Sequence, residues 1–156
     1  MEDIIFTPFQ PEYKQELNTW QEKENNAGTN GLNDFVVAET TLLGDYIAFI
    51  DRSITDITAR LAFDQDDLVG FICYSNPSEN HTYIEIMGVN PDCRGQGYAS
   101  RMLTCFKENV QANSKEPQKI TLSTKENNHA GIKAFSKIGK ISEVQDKENY
   151  VNFELL

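Results

Sequence analysis

The sequence predicts an α/β domain, on three observations. Short runs of alternating or continuous apolar residues recur along the chain at strand length. Ala99, Met102, Leu103, Phe106 and Val110 keep helical spacing, i, i+3, i+4, i+7 and i+11, which marks an amphipathic helix. A strand-like run, Tyr83 to Val89, ends in a glycine-rich loop that opens directly into that helix. At 156 residues the chain is long enough for one domain, residues 1–156, with a sizeable core.

The elements follow in order. Ile4 to Thr7 reads as a first short strand, closed by Pro8. Glu12 to Glu24 reads as a helix with Tyr13, Leu17 and Trp20 on one face, and Asn25 to Gly31 as a turn-rich polar loop. A second helix falls within Thr40 to Ser53, where Leu43, Ile47 and Ile50 recur at helical spacing and Ile54 continues the stripe. Thr58 to Phe63 and Leu68 to Tyr74 are strand-like, joined by a hairpin turn at Asp64-Gln65-Asp66-Asp67. After the Tyr83–Val89 strand and its helix, Lys119 to Thr124 alternates as a strand and Asn128 to Gly139 carries a further helix. Two tail strands, Lys140 to Gln145 and Tyr150 to Leu155, flank a charged turn.

Composition narrows the class. Charged residues make up 24% and hydrophobic ones 39%, ordinary values for a globular protein. No apolar run approaches the ~20 residues that span a bilayer. The start, Met1-Glu2-Asp3-Ile4, is acidic and so unlike the basic opening of a secretory signal. Cys73, Cys93 and Cys105 are an odd number without Cys-x-x-Cys or His pairing, which favours free thiols in a reducing cytoplasm over disulfides or a metal site. A formal net charge of −10 argues against nucleic-acid binding. It is compatible with a cationic acceptor drawn to an acidic cleft, and equally with plain solubility.

The stretch Val89-Asn90-Pro91-Asp92-Cys93-Arg94-Gly95-Gln96-Gly97-Tyr98-Ala99 is the most informative of the chain. The first N–H groups of a helix lack intrahelical partners, and the helix dipole places partial positive charge on them. Gly95 and Gly97 allow close backbone approach, and Arg94 adds a formal charge. The result is a phosphate cradle. It is not a P-loop, because Tyr98 and Ala99 stand where Lys and Ser or Thr are required. Gly95, Gly97 and Ser100 match the dinucleotide fingerprint only in part. The acid expected at the end of the next strand is absent, Glu116 preceding Pro117 instead.

Arg94-Gly95-Gln96-Gly97-Tyr98-Ala99, approached through Val89 and Pro91, resembles the Gln/Arg-x-x-Gly-x-Gly/Ala signature of the Gcn5-related N-acetyltransferase (GNAT) family. Downstream, Asn128, Phe135 and Gly139 fall in the Asn, Tyr and Gly slots of that family's second coenzyme A segment. Gly131 and Lys140 depart from it. The resemblance implies a mixed sheet, splayed at its centre and flanked by helices. It also implies acetyl-coenzyme A as cosubstrate, held by the loop at Arg94, Gly95, Gln96, Gly97, Tyr98, Ala99 and Ser100 and by Asn128. Met87, Gly88 and Val89 would hold the pantetheine arm and polarise the acetyl carbonyl. It implies an amine acceptor bound at a rim formed by the first two helices and their connecting loop, Asn25 to Asp34, and it allows a homodimer; Asp34, Asp45 and Asp51 could attract a cation there or be plain surface carboxylates.

For catalysis, Glu85 shares a face with Tyr83 and Met87 on a regular strand. Glu85 is the candidate general base, directly or through water, and Tyr83 the second candidate catalytic side chain; a plain strand carboxylate is the alternative for Glu85. An ordinary Glu, with a pKa of ~4.3, is a weak base, so this role asks for burial. His81 is expected at a loop edge. Phe135 stands where many relatives place a Tyr whose hydroxyl protonates the departing thiolate, and it would serve as an apolar wall against pantetheine. Two functions therefore stay open: an N-acetyltransferase, or a coenzyme A-binding regulatory domain without turnover.

Overall fold

The computed structural model describes residues 4–26, 42–53, 56–125, 129–141 and 150–155. The strands are β1 (Ile5–Pro8), β2 (Ile57–Asp64), β3 (Asp67–Ser78), β4 (His81–Val89), β5 (Lys119–Lys125), β6 (Gly139–Ile141) and β7 (Tyr150–Leu155). The helices are α1 (Lys14–Asn26), α2 (Leu43–Ser53), α3 (Tyr98–Ala112) and α4 (His129–Ser136). The strands form one seven-stranded sheet in the order β1-β2-β3-β4-β5-β7-β6. Every neighbouring pair is antiparallel except β4 and β5, the pair joined through α3.

The two faces of the sheet bury separate cores. On one, α3 and α4 pack Met102, Leu103, Phe106 and Phe135 against Ile72, Ile84, Met87, Ile120, Leu122 and Phe153. On the other, α1 and α2 pack Leu17, Trp20, Leu43, Ile47 and Ile50 against Leu61, Phe71 and Cys73. The apolar stripes read from the sequence are the buried ones: Met102 and Leu103 of α3 and Leu17 of α1 are fully covered. Two amides of α1 cap the start of α2. Asn18 Oδ1 accepts the Gly44 N–H at 2.7 Å, and Gln21 Oε1 accepts the Leu43 N–H. These bonds satisfy buried donors that no residue of α2 can reach.

Several boundaries move. Pro11 opens a 3-10 turn over Pro11–Tyr13, so α1 begins at Lys14 rather than Glu12. Because the β3–β4 hairpin is long, β3 continues past Tyr74 to Ser78 and β4 begins at His81. Of the predicted strand Lys140–Gln145, β6 covers Gly139–Ile141, and the rest lies outside the described residues. Of the predicted polar loop Asn25–Gly31, Asn25 and Asn26 are instead the last residues of α1, and 27–31 lie outside the described residues, as do most of the proposed acceptor rim, including Asp34, and Asn128.

Candidate active site

The β4–β5 pairing is short. It runs from His81↔Lys119 to Ile84↔Leu122, and then the two strands part, leaving Glu85–Val89 of β4 unpaired with β5. This is the splay that the family resemblance implies. It lies at the end of β4 from which the glycine loop departs.

A register shift marks the point where the strands separate. Across the β3–β4 ladder Cys73 faces Ile86 and Tyr74 faces Ile84, so Glu85 is the extra residue of a β-bulge. The bulge reverses the alternation of faces. Before it, Ile84 points into the α3/α4 core; after it, Met87 does, while Ile86 packs on the α1/α2 side. Glu85 therefore does not share a face with Met87, as a regular strand would require. Its carboxylate stays on the α1/α2 side, where the Ser75 hydroxyl donates to Oε1 at 2.8 Å. Tyr83, paired with Ser75 across the ladder, lies on that same side.

Glu85 is exposed, so the described residues do not supply the burial asked of a strengthened base. Its neighbours are not readable from the sequence. Burial, and after it the charges of Asp51 and Glu85, push the Cys73 thiol far above the usual thiol range. Burial, Cys73 and Glu85 likewise raise the Tyr46 hydroxyl. Tyr46 and Asp51 of α2 thus stand within electrostatic reach of Glu85 or Cys73 on this side of the sheet. Asp45 instead pairs with Lys14 at 3.2 Å. His81 opens β4 directly after the turn at Glu79-Asn80, at the loop edge where it was expected. Its Nε2 lies 2.6 Å from Thr121 Oγ1 at the closed end of the β4–β5 ladder, and burial followed by the Lys119 ammonium holds its pKa below the usual range.

The glycine loop is set by the backbone. Gly95 and Gly97 have φ of 77° and 81°, the left-handed region that favours glycine, and a Cβ at either would meet no atom within 4 Å. Gly97 is the N-cap of α3 and provides no side-chain cap, so it leaves the first amides of the helix without a partner from the capping residue. The loop is moored on the β2–β3 hairpin from both ends. At its entry, Asn90 N–H donates to the Val69 carbonyl at 2.8 Å and Asn90 Nδ2 to the Leu68 carbonyl at 3.1 Å. At its exit, the Tyr98 hydroxyl donates to Asp64 Oδ2 at 2.7 Å, and Arg101 Nη1 reaches the same oxygen at 3.3 Å. The Arg101 guanidinium lies 5.0 Å from the Tyr98 ring centre. Arg94 Nη2 donates to the Val89 carbonyl at 3.4 Å, folding its side chain back along the end of β4.

Acids surround this cradle. Burial and then Asp92, Asp67 and Asp64 raise the Cys93 thiol. Lys23 of α1 pairs with Asp92 at 2.7 Å, and Arg101 with Asp64, so two of the three carboxylates are offset by cations. Phe135 of α4 is buried, its ring edge-on to Phe153 at 5.6 Å between centroids. Among the described residues no group of three or more His, Cys, Asp or Glu side chains is placed to hold a metal ion. No described helix is long and apolar enough to cross a membrane.

A mixed sheet that splays beside a bulged strand, with an uncapped helix behind a glycine loop, defines the acyl-coenzyme A N-acyltransferase class of fold. The chain belongs to the acetyltransferase (GNAT) family, whose sequence profile matches residues 7–139, and it is an acetyltransferase of that family. No curated protein matches it significantly in sequence. Solved structures match in fold. An acetyltransferase from Thermus thermophilus covers 98% of this chain and 96% of its own, at 13% identity and a TM-score of 0.71. AAC(6')-Ib in complex with ribostamycin and coenzyme A covers 98% and 92%, at 10% identity and a TM-score of 0.76. RimL, a ribosomal L7/L12 alpha-N-protein acetyltransferase in complex with coenzyme A, covers 99% and 93%, at 14% identity and a TM-score of 0.71.

Proposed function

We propose that this chain transfers the acetyl group of acetyl-coenzyme A to a primary amine, with the pyrophosphate of the cosubstrate on the loop at residues 94–100. One observation carries the reading. The start of α3, without a side-chain cap and behind two left-handed glycines, stands at the end of β4 where the strand leaves β5. An anion gains there from oriented N–H groups and the helix dipole, and pantetheine gains, at Met87, Gly88 and Val89, a strand edge that β5 does not pair. Those backbone groups also suit polarisation of the acetyl carbonyl. Coenzyme A is bound by two of the structural neighbours.

The reaction needs a neutral amine, a polarised carbonyl and a departing thiolate. The amine nitrogen bonds to the acetyl carbon, the carbon–sulfur bond breaks, and the amine proton passes to Glu85, directly or through one water. Ser75 holds one oxygen of that carboxylate from the neighbouring strand. Phe135 has no hydroxyl to give the thiolate, which leaves unaided; a thiol of pKa ~8.5 is a tolerable leaving group near neutrality. The acceptor side carries Glu85 and Asp51, which suits a cationic amine. We place the enzyme in the cytoplasm on its three free thiols.

Binding without turnover is the second reading, favoured by the buried Phe135 in the usual Tyr slot and by the exposure of Glu85. Thiol release from acetyl-coenzyme A, followed across a panel of aminoglycosides, polyamines and peptide N-termini, separates the two. Release that depends on one class of amine supports the enzyme and names its acceptor. Binding of acetyl-coenzyme A with no release across the panel supports the alternative.

A further inference from the structure

The glycine loop is built from the residues least able to hold a shape. Gly95 and Gly97 leave the backbone between Arg94 and Tyr98 with a wide choice of dihedrals, and Gly95, Gln96 and Gly97 are exposed. A loop of this kind binds an anion with an affinity reduced by the fraction of time it spends in the binding conformation. Something outside the loop must raise that fraction. At the entry this is Asn90, fixed by two hydrogen bonds to Leu68 and Val69. At the exit, the Tyr98 hydroxyl and the Arg101 guanidinium of the first turn of α3 both reach one carboxylate oxygen of the hairpin, Asp64 Oδ2.

We propose that Asp64 is a positioning residue for acetyl-coenzyme A. Its carboxylate, at the end of β2, fixes Tyr98 and Arg101 so that the first amides of α3 stay aimed at the phosphate site. Asp64 touches no substrate. It acts through the Tyr98 hydroxyl and the Arg101 guanidinium, and Arg101 at 3.3 Å offsets a negative charge that would otherwise repel the pyrophosphate. The arrangement also commits Arg101, a cation in the first turn of α3, to the hairpin. The β2–β3 turn thereby becomes part of the cosubstrate site, although the Asp64-Gln65-Asp66-Asp67 sequence looks like an ordinary hairpin connection. The inference rests on the loop being the pyrophosphate site.

Calorimetric titration with acetyl-coenzyme A, beside a thermal melt of each variant, tests it. Asp64→Ala is expected to weaken binding roughly five- to tenfold, at the low end of couplings between linked sites. Asp64→Asn keeps an acceptor for the Tyr98 hydroxyl and is expected to restore binding to within about twofold of the wild type. Tyr98→Phe, which leaves no cavity, is expected to weaken binding about threefold to fivefold and serves if Asp64→Ala does not fold. Unchanged or tighter binding in Asp64→Ala or Tyr98→Phe overturns the proposal, because repulsion or a merely structural tie would then be all that Asp64 contributes. Equal losses in Asp64→Ala and Asp64→Asn overturn it too, by assigning the effect to charge. If wild-type protein binds no acetyl-coenzyme A, the reading of the loop fails first, and this inference with it.

Discussion

The two sides of the sheet divide the chemistry unequally. On the α3/α4 side, the features that suit a cosubstrate belong to the backbone: two left-handed glycines, a helix start without a side-chain cap and a strand edge that β5 leaves unpaired. On the α1/α2 side, the features that suit an acceptor are side chains from three elements, Tyr46 and Asp51 of α2, Ser75 of β3 and Glu85 of β4. A backbone site dictates its own residue types, so it can be recognised from a short string of sequence. A side-chain site depends on which elements tertiary packing brings together, and it can vary while the fold stays the same. That contrast agrees with structural neighbours that share this fold at 10–14% identity and carry different acceptors in their names.

The largest effect should come from the acceptor side. Glu85→Gln should lower acceptor-dependent thiol release about 10²–10⁴-fold if Glu85 is the base, with acetyl-coenzyme A affinity unchanged. A rate within a few-fold of wild type would make Glu85 a strand carboxylate and shift the comparison toward Tyr83 or Tyr46. Next in size is Phe135→Ala, which empties a buried ring from the α3/α4 core and should cost about 3–5 kcal/mol in denaturant unfolding. A cost below about 1 kcal/mol would mean that Phe135 serves the pantetheine slot and not the core. Phe135→Tyr probes the chemistry at that position, and thiol release equal to or faster than wild type is the expected result.

On the cosubstrate side, Gly97→Val forces a β-branched residue into φ of 81°. Strain of about 1–3 kcal/mol there should weaken acetyl-coenzyme A binding roughly tenfold or more and leave the melting profile of the α1/α2 core largely intact. Wild-type affinity in this variant would mean that the left-handed turn is dispensable.

The smallest effect concerns acid. Hydrogen bonding from Tyr98, and then the Arg101 charge, hold the Asp64 carboxyl below the usual carboxylate range. Its folded pKa lies below its unfolded value of about 3.9, so its contribution to stability is complete above that pH and is lost as pH falls through the folded value. The melting difference between wild type and Asp64→Asn should therefore be constant from pH 7 to pH 5 and change only in the acid range.

Much of the fold was legible because its signals are local. The α3 stripe of Met102, Leu103 and Phe106 and the α1 stripe around Leu17 and Trp20 need only helical periodicity, and both are buried in the cores. The β2–β3 hairpin was marked by four polar residues between two apolar runs. The bulge at Glu85 was not legible. Tyr83-Ile84-Glu85-Ile86-Met87 alternates well enough to pass for a regular strand, and only the pairing with Cys73 and Tyr74 reveals the extra residue. Asp64 was hidden for the same reason, since its partners Tyr98 and Arg101 lie far along the chain. Pro11 is a visible local signal that outweighs the periodicity around it: proline at a first turn explains the later start of α1.

The measurement that bears most directly on the central claim is calorimetric titration of the wild-type protein with acetyl-coenzyme A, with a nicotinamide dinucleotide as control. Saturable binding of acetyl-coenzyme A and none of the dinucleotide is the predicted result. No binding of acetyl-coenzyme A to a folded sample, or preference for the dinucleotide, would contradict it.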